Sequence, residues 1–250
     1  MTASASYDFA LNSRASARCC NIGLEREPLL QVDDLLCSPE SLVHFAAAEA
    51  RFAPAYGPEG GYPGIRADAP LDYVDAVVQA LDPVVRAAFD LGDVRLGRAE
   101  CSLSLVTLPS DALVSSQRVP HTDTTYPLQF AFLHYLCPRS FGGTAFYRHR
   151  RTGFETLTDE RLDDYHAARR SEEAEESAAG YIISDTAHFE RIAAIAAEPN
   201  RLVIYRSRLL HSGLIPPGTP LPADPRSGRL TANIFVSYLP AAAADGDERP

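Results

Sequence analysis

The chain has 250 residues, 46% of them hydrophobic, and a formal net charge of −10. That length and apolar fraction are enough for one sizeable core, and the acidic balance excludes a generic nucleic-acid binder, which needs a basic surface. All 23 basic residues are arginine, which removes Schiff-base, Walker A and Ser-Lys chemistry and leaves cations suited to two-pronged carboxylate binding.

The chain reads as one domain over 1–250. Residues 1–27 are expected to be a loose N-terminal arm, poor in periodicity and without the basic flank and apolar run of a secretory signal. Cys19 and Cys20 lie within it. Five cysteines, an odd number with no C-x-x-C, suggest neither a disulfide framework nor a zinc ribbon, so a reducing cytoplasmic setting is expected. No apolar run is long enough to span a bilayer.

Residues 28–98 read as a strand followed by supporting helices. Pro28–Leu36 is the strand. Ser38-Pro39-Glu40 has the residues of a helix start, with an apolar face through Leu42, Phe45, Ala46 and Ala50. Residues 53–70 carry four prolines and four glycines and read as a long loop, with Arg66 as a candidate substrate-gripping residue. A second helix is expected from Leu71 to Phe89, kinked or restarted at Pro83 and capped near Gly92.

From Ala99 the period changes to two. Glu100–Leu108, Leu128–Leu136, Thr144–Arg150, Asn200–Arg206 and Gly228–Leu239 read as strands of a β core over 99–240. Residues 157–200 interrupt it as a helical insertion, a potential lid, with Phe189–Ile195 as a short helix and a charged run at Arg169–Glu176. The tail after Pro240 is expected to fray.

The chemistry concentrates at His121-Thr122-Asp123. Pro120 biases the chain before it towards extension, and in an extended segment residues i and i+2 point the same way. His121 and Asp123 can then reach one metal, and His211, beyond the Asn200–Arg206 strand, supplies the third ligand of a 2-His-1-carboxylate set for Fe(II). His134 alternates with Tyr135 and is expected to be structural. His44, His166 and His188 have no partner pattern.

His-x-Asp, then Tyr135-Leu136, then Gly142-Gly143-Thr144-Ala145-Phe146 resembles the Fe(II)/2-oxoglutarate-dependent oxygenases, in particular the prolyl-hydroxylase-like branch. Cys137 stands where that branch often has Asn. Gly142–Phe154 is also similar to an uncharacterised bacterial subgroup of the superfamily. The resemblance covers residues 99–240 firmly and 28–98 loosely. It implies an α+β fold: a double-stranded β-helix (jelly-roll or cupin-like) barrel with N-terminal supporting helices. It also implies Fe(II), 2-oxoglutarate and O2. Arg229, opening the strand after the distal histidine, matches the residue that holds the far carboxylate of 2-oxoglutarate. It lies eighteen residues after His211, a long spacing that leaves Arg226 as a rival. Tyr135 matches the family tyrosine that bonds the same carboxylate, and Thr231 adds a second hydroxyl. Arg148, on the strand after the Gly-Gly turn, is a candidate substrate contact.

The function implied is oxidation of a small molecule, an amino-acid derivative bearing a carboxylate. Asp123 is intact, whereas halogenases of the superfamily replace it. That favours hydroxylation, desaturation or oxidative ring closure, of which cyclopropane formation on a nitro-amino acid is an example. The competing readings are a peptidyl or protein hydroxylase, a barrel binding module without turnover, and a metalloenzyme that uses no 2-oxoglutarate. No membrane or nucleic-acid partner is expected. The oligomeric state, the substrate and the type of oxidation are open.

Overall fold

A computed structural model describes residues 6–173 and 180–241. Eleven strands and three helices follow in the order β1 (Ser16–Ile22), β2 (Glu27–Asp33), α1 (Pro39–Ala48), β3 (Ala53–Gly57), β4 (Gly60–Asp68), α2 (Leu71–Phe89), β5 (Val94–Val106), β6 (Gln129–Tyr135), β7 (Gly143–His149), α3 (Asp159–Glu172), β8 (Phe189–Ala196), β9 (Arg201–Arg206), β10 (His211–Leu214) and β11 (Arg229–Pro240). The fold is α+β. An eight-stranded antiparallel sheet runs β1-β2-β9-β6-β11-β5-β4-β3, and a three-stranded sheet runs β10-β7-β8.

Strict alternation builds the layers. On the outer face of the large sheet, Leu103, Leu105, Phe130, Phe132, Leu202, Ile204, Leu230, Ala232, Ile234 and Val236 are buried. They pack against α2, whose Tyr73, Val74, Val77, Val78, Leu81, Val85 and Phe89 recur at helical spacing. Pro83 removes one hydrogen bond, yet the helix runs through it. The helix does not restart there, and its buried stripe continues on either side. The helix closes at Asp90 in a left-handed conformation (φ 49°), two residues before the cap expected near Gly92.

The inner face of the large sheet faces the small one. Ala131, Tyr135, Val203 and Tyr205 meet Phe141 and Phe146 in a second core. A third, behind the small sheet, joins Ala145, Tyr147 and Phe189 to Leu157 and Tyr165 of the α3 region. Among the described residues no continuous ladder closes the two sheets into one barrel; isolated bridges join His121 to His211 and Thr156 to Leu209.

Several expectations are corrected. Residues 53–70 are a β-hairpin, β3–β4, with β4 paired to β5 from Gly64↔Val106 to Asp68↔Ser102. The glycines that suggested a loop serve the turn, where Gly60 and Gly61 take φ of 113° and 98°. The N-terminal arm contains β1, paired along its length with β2; residues 1–5 lie outside the described part. Phe189–Ala196 is strand β8, not a helix, because its residues pair with β7. Among its described residues the insertion is therefore one helix, α3, followed by a core strand. The run Arg169–Glu176 and the tail after Pro240 extend beyond the described residues. Among the described residues no helix is long and apolar enough to cross a membrane.

A candidate metal centre between the sheets

His121 and His211 are brought together by backbone. Each donates its N–H to the other's carbonyl, both at 2.9 Å, so the two residues form a hydrogen-bonded antiparallel pair and their rings lie 4.5 Å apart. The Asp123 N–H donates to the Ser207 carbonyl at 2.8 Å, which ties the carboxylate to the turn leading into β10. His121 and Asp123 lie on a loop fixed at these two points rather than on a strand. The result is still the i, i+2 presentation that the sequence suggests. One donor atom from each of His121, Asp123 and His211 lies within 4.8 Å of the others.

The protonation states suit a cation. His211 Nδ1 sits 2.9 Å from the Leu209 carbonyl. A carbonyl only accepts, so Nδ1 carries the proton and Nε2 presents its lone pair. That Nε2 is 3.8 Å from Asp123 Oδ2, too far for a hydrogen bond. Burial pushes the His211 imidazolium down to about 4, so the ring is neutral at pH 7. Burial, then the neighbouring His211, also lowers His121. Asp123 is raised by burial, opposed by His121, Arg66 and Ser207. As residues His121 and Asp123 are open to solvent whereas His211 is buried, and the shift is firmest for His211. A divalent cation would reverse the penalty on Asp123.

The three residues border a cavity of about 440 Å3 between the sheets, which is also lined by Tyr62, Arg66, Thr144, Arg229, Thr231 and Asn233. Alternation on β11 directs Arg229, Thr231 and Asn233 to this side, opposite Val106, Ser104 and Ser102 of β5. Arg229 is 4% exposed. Its Nε and Nη2 donate to the carbonyls of Phe141 (3.2 Å) and Gly143 (2.7 Å), so the turn before β7 holds the guanidinium in place. No carboxylate pairs with it among the described residues. Thr231 Oγ1 and the Tyr62 hydroxyl are buried close to each other, and neither makes a well-formed hydrogen bond.

The other expected site residues divide. Arg226 is exposed in the loop before β11 and does not line the cavity. Tyr135 stands behind the wall: its hydroxyl bonds Thr144 Oγ1 at 2.6 Å, and its ring lies 5.9 Å from the Arg229 guanidinium. Arg66, on β4, lines the cavity. Arg148 does not, which corrects the expectation for it: its guanidinium pairs with the fully buried Glu155 and, at 2.9 Å, with Glu190. His134 is buried on the far face between the Tyr73 hydroxyl (2.9 Å) and Asn200 (3.2 Å).

Tyr62, Thr144, Tyr181, Tyr205 and Asn233 also line the cavity and were not singled out from the sequence. Asn233 was legible, two positions beyond Thr231 on the same strand face. Tyr62 was hidden by reading its strand as loop.

The sequence profile of a family of unknown function (DUF6445) matches residues 13–236. No curated protein matches the sequence. Among solved structures, the chain is similar to the non-heme alpha-ketoglutarate-dependent carbocyclase SnoK from nogalamycin biosynthesis, with 13% identity over 88% of this chain and 85% of that one and a TM-score of 0.41. It is also similar to an N-substituted L-amino acid dioxygenase from Burkholderia ambifaria AMMD, with 13% identity over 90% of this chain and 98% of that one and a TM-score of 0.34. Likenesses this distant do not transfer chemistry, which is argued below from this chain's own residues.

Proposed function

The chain belongs to the DUF6445 family, and we propose that it is an Fe(II)/2-oxoglutarate-dependent oxygenase acting on a small molecule. The observation that carries this reading is the convergence of His121, Asp123 and His211 at the edge of a cavity that also holds an unpaired, buried arginine.

The residues fit both implied groups. Two neutral imidazoles and one carboxylate are a donor set that would hold Fe(II) at the edge of the cavity. The far carboxylate of 2-oxoglutarate needs a cation in a dry pocket. Arg229 offers one without a competing anion, and Thr231 Oγ1 and the Tyr62 hydroxyl can donate to the same group. Thr144 lies on this wall, held by Tyr135, so Tyr135 would position rather than touch.

With iron and 2-oxoglutarate bound, such a site couples oxidative decarboxylation of the cosubstrate to oxidation of a substrate C–H bond. The protein's own contribution is placement. The His121–His211 backbone pair fixes the ligand spacing, Leu209 fixes the tautomer of His211, and the two sheets exclude bulk water from the cosubstrate end. A retained Asp123 leaves no ligand position for a halide and favours hydroxylation, desaturation or ring closure. The cavity of about 440 Å3 lies in the ordinary range for small-molecule sites, which favours a small substrate, such as an amino-acid derivative, over a peptide chain.

The test is direct. Purified protein is mixed with Fe(II), ascorbate and 2-oxoglutarate, and succinate is measured with and without candidate amino-acid derivatives, alongside bound iron. Iron bound by the wild type and lost in His211→Ala, with succinate released, is the expected result. Absence of both iron binding and succinate would refute the reading.

A further inference from the structure

Arginine supplies every basic side chain in this protein, and most half-buried arginines are matched to a carboxylate. Arg86 pairs with Asp82, Arg161 with Glu25, Arg201 with Asp33, Arg148 with Glu155, and Arg206 and Arg208 share Glu27. Arg66 breaks this pattern. No carboxylate lies at ion-pair distance from it among the described residues, and its Nε is buried with no hydrogen-bond partner. A buried donor left unpaired is costly. Its neighbour is the Tyr62 ring, 4.3 Å below the guanidinium carbon, which orients the guanidinium plane by stacking.

Its position is specific. Register places Arg66 opposite Ser104 on the inner face of the large sheet. Ser104 Oγ and the side-chain oxygen of Asn233, on the same face, are likewise buried without partners. Arg66 and Asp123 line both the main cavity and a second recess of about 350 Å3. The guanidinium is close enough to Asp123 and His121 to act electrostatically on both. In that recess Arg98 and Glu100 are paired with each other.

The charges lead to a count. Two neutral imidazoles, the Asp123 carboxylate, a divalent ion, a dianionic cosubstrate and Arg229 sum to zero. Arg66 then leaves one uncompensated positive charge beside the metal, on the side facing the second recess. The remaining acid on the cavity wall, Glu59, is exposed at its mouth, where solvent screens it.

We infer that Arg66 binds a single carboxylate of the primary substrate, so that the substrate is a monoanionic carboxylic acid with its oxidised carbon close to the carboxylate. The inference rests on the Fe(II)/2-oxoglutarate reading of the site. Arg66 is then a specificity-determining residue: it anchors the substrate at one end while Arg229 anchors the cosubstrate at the other. Asn233, on the cavity wall, supplies a neutral hydrogen bond between them.

The test uses the whole protein loaded with Zn(II), which does not react with oxygen, and saturating 2-oxoglutarate. The probes are N-acetyl-L-amino acids, each compared with its primary amide, and binding is read by ligand-observed NMR. Acids are expected to bind the wild type in preference to amides. Arg66→Gln should lose about 10- to 100-fold of that preference, the worth of a charge-assisted hydrogen bond, while its affinity for 2-oxoglutarate stays as in the wild type. Arg66→Lys, which keeps the charge, should retain part of the preference and guards against a variant that merely misfolds. Amides binding the wild type as well as acids, or no acid binding above its amide, overturns the inference. So does a loss of 2-oxoglutarate affinity in Arg66→Gln, which would assign this arginine to the cosubstrate. A wild type that takes up neither Zn(II) nor 2-oxoglutarate refutes the underlying reading instead, and is told apart by that blank alone.

Discussion

Replacing Arg229 by Gln tests the cosubstrate end of the cavity most sharply. The side chain is 4% exposed, so a carboxylate bound to it is largely withdrawn from water. Removing one partner of such a pair leaves the other charge buried and uncompensated, which costs about 3–4 kcal/mol, or about 10²- to 10³-fold in Kd. Two opposing effects act on the ligand-free fold. The variant loses the hydrogen bonds to the carbonyls of Phe141 and Gly143, worth about 1 kcal/mol each. It also removes a buried cation that has no counter-charge. The two partly cancel, so the protein should remain folded and the binding measurement should be clean. Calorimetric titration of the Zn(II)-loaded protein with 2-oxoglutarate reads the result. Arg229→Lys keeps the charge but not the fork, and should lose about tenfold. Arg226→Gln should change nothing, since that side chain is exposed and away from the cavity. An unchanged affinity in Arg229→Gln, or the loss appearing in Arg226→Gln, would refute the assignment.

His211→Ala should lower the affinity for Fe(II) or Zn(II) by at least about 100-fold, more than loss of an outer-shell partner, with circular dichroism unchanged; metal retained at full stoichiometry would count against the site. Arg148→Ala should leave 2-oxoglutarate turnover intact but cost about 1.5–3 kcal/mol of stability, because the buried Glu155 loses its cation and keeps only the backbone N–H donors of Leu24 and Glu25, and denaturant titration reads the difference. His134 is pushed down to about 4 by burial, so on acidification the unfolded chain takes up its proton from about pH 6.5 while the folded one does not. Metal-free protein should therefore lose up to about 3 kcal/mol from this group as pH falls from about 6.5 to about 4, and His134→Gln should flatten that slope in melts run with a chelator.

The parts of the fold legible in the sequence are those fixed by a single period. β5, β6, β9 and β11 alternate cleanly because one face meets α2 and the other the second sheet, and α2 carries a continuous apolar stripe. Segments whose structure depends on a distant partner were misread. β4 carries Pro63 and three glycines, Gly60, Gly61 and Gly64, which argue locally for a loop. It is a strand because β5 offers an edge, and at Gly64 because a Cβ there would meet the Leu105 carbonyl at 2.0 Å. β8 reads Ile-Ala-Ala-Ile, which is compatible with a helix, and becomes a strand because β7 has a free edge. The same holds in the site. His121 and Asp123 were found by spacing, but the geometry that unites them with His211 comes from a two-residue bridge that no local pattern announces.

The arginines show why substrate contacts were harder to read than metal ligands. From the chain alone, Arg66 and Arg148 look equivalent: each follows a glycine-rich stretch. What separates them is the location of acids far away in sequence or across the sheet. Arg148 meets Glu155 after the chain turns back, and Glu190 across the β7–β8 pair. Glu27, on β2, satisfies Arg206 and Arg208 from the other end of the chain. Those pairings use up the carboxylates next to these cations. Arg66 and Arg229 meet no acid across the inner sheet: Arg66 faces Ser104 and, one strand further, Thr231, while Arg229 faces Val106. An inner face with two guanidiniums and neutral polar residues between them is electrostatically incomplete without anions. It is that shortage of acids beside the two guanidiniums, a property of the folded sheet rather than of any motif, that supports the proposal of carboxylate ligands in the cavity.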